Sequence, residues 1–118
     1  MLTSKIKRSN TILYCRNWEN TVRFYRDVLK VVINHESEWF VEFQLADNTY
    51  LSIANAADTS IKSADGDGIT ISWQIEDVES TYLRFNELGI KTSKLKSVWG
   101  AQAFYIFDSE GHRLELWS

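Results

Sequence analysis

From residue 11 the chain reads Thr-Ile-Leu-Tyr-Cys, a β-branched and aromatic run that predicts a strand over 11–15. Asn17 follows as a helix N-cap, with Glu19 and Asn20 in the first turn to complement the helix dipole. Trp18, Val22, Tyr25, Val28 and Leu29 then fall on one face of a 3.6-residue helix, with Arg23, Arg26, Asp27 and Lys30 on the other. Strands are expected at 31–36 and 39–46. In the second of these Trp39, Val41, Phe43 and Leu45 alternate against Phe40, Glu42 and Gln44. Asp47-Asn48 makes a turn, and Tyr50 to Ala54 returns as a strand.

The second half repeats this phrase. Asn17 maps onto Asp77, Glu19 onto Glu79, Thr21 onto Thr81 and Tyr25 onto Phe85, a constant shift of 60 residues. A strand is expected at 69–75, Asp77 as cap, and a helix at 78–88 that buries Val78, Tyr82, Phe85 and Leu88. Gly89 supplies the left-handed residue after it. Strands over Lys91–Lys96, Gln102–Phe107 and Arg113–Trp117 complete the copy, the last two joined by the turn Asp108-Ser109-Glu110-Gly111. The small, polar stretch 55–67 reads as the linker. The expectation is an α+β chain, one domain over 1–118, built of two βαβββ modules at 8–55 and 68–118.

Parity then assigns faces. If Leu114 and Leu116 lie beneath the second helix, Arg113, Glu115 and Trp117 look the other way. If Leu51 and Ile53 lie beneath the first, Tyr50, Ser52 and Ala54 take the open side. Two such modules side by side would make a half-barrel-like cleft lined by those open-side residues.

Composition narrows the function. The 118 residues are 44% hydrophobic and 25% charged, enough for one core. A net charge of −3 argues against a general nucleic-acid binder. The short basic run Lys5-Ile6-Lys7-Arg8 reads as a solvated N-terminus. Cys15, the single cysteine, alternates with apolar residues and reads as core. Neither a signal peptide nor a membrane span is expected, and a cytoplasmic location follows by default. His35 and His112, at a strand end and in a turn, are both expected to be exposed.

Three stretches carry a family resemblance: Asn17-Trp18-Glu19-Asn20-Thr21-Val22-Arg23-Phe24-Tyr25-Arg26-Asp27-Val28-Leu29; Glu76-Asp77-Val78-Glu79 with Leu88-Gly89-Ile90; and Phe107-Asp108-Ser109-Glu110-Gly111-His112-Arg113-Leu114-Glu115-Leu116. Over roughly 10–117 the chain resembles the vicinal oxygen chelate superfamily of glyoxalases, bleomycin-resistance proteins and ring-cleaving dioxygenases. Ser109 stands where that family usually has proline. The resemblance implies four metal-ligand positions, which here hold Asn10, Ser52, Thr70 and Glu115. Only Glu115 is a strong ligand, so neither a metal nor another cofactor is expected.

What remains is aromatic. Trp99-Gly100 resembles the Trp-Gly that precedes the same strand in metal-free bleomycin-resistance proteins, which hold flat, often cationic drugs in clefts of a homodimer. The resemblance thus implies a homodimer that sequesters a small planar or cationic molecule. Its candidate ligand-binding residues are Tyr14, Phe40, Glu42, Ser52, Trp99, Tyr105, Phe107, Arg113 and Trp117. Trp73 reads as core. An enzyme of the same superfamily, a lyase, isomerase or dioxygenase using Glu115 as a base or weak metal ligand, is the alternative. A module whose cleft is filled by its own side chains is a third reading.

Overall fold

The computed structural model describes the backbone of residues 1–118 and every side chain except that of Val98. Two compact units divide the chain, Met1–Asp65 and Gly66–Ser118. The first holds β1 (Ser9–Cys15), α1 (Trp18–Arg23), β2 (Val32–Glu36), β3 (Phe40–Ala46) and β4 (Thr49–Asn55). The second holds β5 (Thr70–Gln74), α2 (Val78–Glu87), β6 (Lys96–Val98), β7 (Ala101–Phe107) and β8 (Arg113–Trp117). The strand orders are β1-β4-β3-β2 and β5-β8-β7-β6, with the first strand of each unit parallel to the last. The repeat extends to register. Ile12 pairs with Ser52, and Ser72, 60 residues on, pairs with Glu115.

In the first unit Leu13, Cys15, Val41, Phe43, Leu51 and Ile53 are buried together with Val22 and Tyr25 of the helical segment. Burial of one such aliphatic side chain contributes about 1.5–3 kcal/mol. Trp18 donates its indole N–H to the Ile53 carbonyl at 2.9 Å, which ties the start of α1 to β4. In the second unit Phe104, Ile106, Leu114 and Leu116 form the buried face, and Tyr82 and Phe85 of α2 set their rings edgewise on Phe104 at 5.3 and 5.8 Å. The alternation therefore sends Leu51, Ile53, Leu114 and Leu116 to the helix side, as parity requires.

Departures from the sequence pattern have local causes. The first helix is not α-helical throughout: after Arg23 it widens into a π turn over Phe24–Val28, closed by Leu29 N–H donating to the Phe24 carbonyl at 3.0 Å. A wider turn rotates less per residue, so Val28 leaves the buried stripe and is exposed. Leu88, one residue past α2, is also exposed. Asn17 sits at the N-cap, but its side-chain oxygen accepts from the Asn20 amide rather than from a backbone N–H. Asp77 does cap α2, accepting from Ser80 N–H at 3.1 Å.

Strand β6 falls at Lys96–Val98 instead of 91–96. Ser93 accounts for the shift: its N–H donates to the Tyr105 carbonyl and its hydroxyl accepts from Tyr105 N–H, so a side chain replaces a ladder rung. Trp73 is half-buried rather than core. The linker contains a 3-10 turn, Ala56–Asp58, capped by the Asn55 side chain.

Candidate functional site

The open face of the second sheet carries a cavity of about 550 Å³. Its lining comes from three strands and a turn: Ser72 of β5, Ala101, Ala103 and Tyr105 of β7, Glu115 and Trp117 of β8, and Trp99 from the β6–β7 hairpin. The two alanines explain the hollow. They alternate with the buried Phe104 on β7, and their small side chains leave room that the rings of Tyr105, Trp99 and Trp117 border. The volume lies within the ~300–1,000 Å³ of small-molecule sites.

Two polar groups meet inside it. The Ser72 hydroxyl donates to Glu115 Oε1 at 2.6 Å, a contact dictated by their register across β5 and β8. Arg113 does not pair with Glu115. Its Nε donates to Thr70 Oγ1 at 2.9 Å and its guanidinium lies 4.5 Å from the Tyr105 ring centroid. Lys96 Nζ lies 4.9 Å from the same ring. Tyr105 thus already carries two cations, so the charge character of this face is mixed. A flat ring can still stack on Trp117 and Trp99.

Trp99 is held in an unusual way. It is fully exposed at 100%, and its φ of 53° precedes Gly100 at 79° in the hairpin turn. Positive φ at both central residues is the type I′ geometry, which a bulky side chain disfavours and Asn or Gly favours. Phe107, at the far end of β7, is 60% exposed and does not line the cavity.

The other candidates lie on the first sheet. Tyr14, Phe40, Glu42 and Ser52 occupy its open face by strand parity, with Phe40 against Trp39 at 5.4 Å between ring centroids. Glu42 is 8% exposed and heavily engaged. Its Oε1 accepts from Asn34 at 2.8 Å and pairs with Arg8 at 3.0 Å, and its Oε2 accepts from Asn10 at 3.3 Å. Asn10 in turn accepts from the Ser52 hydroxyl at 2.8 Å. The Asn34 hydrogen bond, then the Arg8 contact, hold the Glu42 carboxyl below its ordinary pKa of 4.5 against the opposing effect of burial. Arg8 is therefore not a merely solvated member of the N-terminal basic run.

The glyoxalase-like domain family model matches residues 8–118. The chain belongs to this family, within the vicinal oxygen chelate superfamily. Solved structures of similar fold include a lactoylglutathione lyase from Agrobacterium tumefaciens, 21% identical over 97% of this chain and 92% of that one, with a TM-score of 0.76. A glyoxalase/bleomycin resistance protein/dioxygenase from Nocardioides is 18% identical, covers 98% and 85%, and scores 0.79. TnmS3, an antibiotic binding protein from Streptomyces sp. CB03234, is 14% identical, covers 98% and 96%, and scores 0.76. At these identities the structural likeness speaks for the fold.

The glyoxalase-like assignment makes the superfamily's divalent metal the cofactor to test against the residues present. Asn10 is consumed by Ser52 and Glu42, and the Thr70 hydroxyl already accepts from the Arg113 guanidinium. Glu115 is left as the one charged ligand among the four positions. Among the described residues, no three His, Cys, Asp or Glu side chains gather as metal ligands do. The donor set does not fit a transition ion.

His112 corrects one expectation. It is buried, at 4% exposure, with Nδ1 2.8 Å from Asp108 Oδ2, while Asp108 Oδ1 accepts from the N–H groups of Glu110 and His112. Gly66 covers the turn so closely that a Cβ there would lie 2.2 Å from the Gly111 carbonyl. The histidine is part of a turn-closing network; His35 is exposed. The residues that sequence reasoning missed are Ser72, the alanine floor, Asn34 and Arg8. Ser72 and the alanines follow from the same parity that finds Glu115. Arg8 and Asn34 lie outside any such pattern.

Proposed function

We propose that this glyoxalase-like protein binds a small planar molecule, cationic ones included, on the open face of its second module and without a metal. The observation that carries the reading is the open cavity of about 550 Å³ bordered by Trp99, Tyr105 and Trp117 beside the Ser72–Glu115 polar pair. Each stacked ring contributes on the order of 1 kcal/mol. Glu115 supplies a counter-charge and an acceptor for a ligand N–H. The antibiotic-binding relative of like fold makes sequestration a fitting role. The same reading has the protein act as a homodimer, which sedimentation checks.

Titration with a panel of flat cationic drugs, read by tryptophan fluorescence, tests it. Quenching in the wild type that weakens about five-fold or more in Trp117→Ala is expected. No quenching across the panel sinks the reading. The place of the Glu115 carboxylate in the cavity wall supports a second reading, in which it removes a proton from a bound acidic C–H. A Glu115→Gln variant that retained full turnover of a substrate so found would remove it.

A further inference from the structure

Arg8 precedes β1 in an exposed N-terminal segment, yet its guanidinium is bound as a guest would be. The guanidinium carbon stands 3.9 Å from the Tyr50 ring centroid, and one terminal nitrogen reaches Glu42 at 3.0 Å. The host is built entirely from sheet residues. Glu42 and Tyr50 come from β3 and β4. Asn34 of β2 and Asn10 of β1 fix the carboxylate, and Ser52 of β4 fixes Asn10.

Such a host suits one ligand chemistry. A carboxylate covered on this face favours a cation or several donors to offset its lost hydration. An aromatic face beside it selects a flat, delocalised cation that can stack while its edge donates hydrogen bonds. An ammonium can satisfy the charge but not the stack. The guest side chain remains half-exposed, and Asn34, Asn10 and Ser52 hold the Glu42 carboxylate without it, so the guest can leave while the host stays formed.

We propose that the open face of the first module is a binding site for guanidinium- or amidinium-bearing small molecules, which Arg8 occupies as a tethered competitor. Tethering gives the Arg8 side chain an effective concentration on the order of millimolar, so an external ligand must compete with it. The segment carrying Arg8 thereby sets the threshold at which this face takes a ligand. The inference rests on residues other than those around Glu115, and does not depend on what the second module binds.

Benzamidine is the probe, added to full-length wild type and to Arg8→Ala, with binding followed by the NMR shifts of the Asn10 and Asn34 side-chain amides. Arg8→Ala is expected to bind benzamidine at least ten-fold more tightly than wild type. The neutral isostere benzamide should bind neither. In the Arg8→Ala background, Glu42→Gln should abolish the gain. Should that double variant fail to fold by circular dichroism, Tyr50→Leu in the same background serves in its place. Equal benzamidine affinity in wild type and Arg8→Ala overturns the proposal. So does an Arg8→Ala gain that survives loss of Glu42 or Tyr50.

Discussion

Glu42 gathers more of the first module's polar chemistry than any residue of the sequence pattern would suggest. Two amides and a guanidinium converge on its carboxylate, and its pKa lies below the ordinary 4.5. A carboxyl whose pKa is depressed on folding contributes stability that is complete above its unfolded value and is lost as pH falls through the folded one. Glu42→Gln keeps the size but loses the charge, and should cost about 1–2 kcal/mol at pH 7. The deficit should stay flat down to about pH 4.5 and shrink below it, because the wild type then surrenders what the variant never had. Urea unfolding of both proteins from pH 7 to pH 3 measures this. A gap that widened on acidification would mean that folding raises the Glu42 pKa instead of lowering it.

Elements were legible where the hydrophobic period was regular, and less so where a side chain substituted for backbone. Strand β8 falls at Arg113–Trp117 because Leu114 and Leu116 alternate cleanly with polar neighbours. Helix α2 follows from Asp77 and its apolar stripe. The π turn after Arg23 leaves no mark in composition, so periodicity alone puts Val28 on the buried stripe that it leaves. Strand β6 lies later than the pattern predicts because Ser93 bonds like a strand residue without being in one. The site divides in the same way. Parity reaches Glu115, Tyr105 and Trp117, while the Arg8 arm rests on a contact between segments that periodicity cannot register. The β6–β7 hairpin joins element to function through Trp99. Trp99→Asn would give the Asn-Gly pair that a type I′ turn favours, and should raise stability by about 0.5–1 kcal/mol. It removes a cavity ring, so affinity for a planar ligand should fall about five-fold. Thermal melts and the fluorescence titration should therefore move in opposite directions; a drop in melting temperature would show that the exposed indole stabilises the hairpin.

At the scale of the whole chain, one topology written twice in the same register presents two unlike faces. Where the first module sets Asn10 and Ser52 against each other, the second sets Thr70 against Arg113 and leaves Glu115 beside Ser72. Neither module offers two strong ligands at these positions, and a lone carboxylate holds a transition ion weakly compared with a set of three or four donors. The consequence for the purified protein is specific. Incubation with equimolar zinc or nickel followed by desalting should leave far less than one ion per chain. Melting temperature should be the same with and without a chelator, because an ion bound only to the native state would raise it through mass action. Thr70→His supplies an imidazole near Glu115, yet it also releases Arg113 from its hydroxyl partner. Retention should rise only modestly in that variant, since two ligands still fall short of a closed set. Stoichiometric retention by the wild-type chain, with a melting temperature lowered by chelator, would mean that donors outside these four positions complete a site, and the metal-free reading would fall with it.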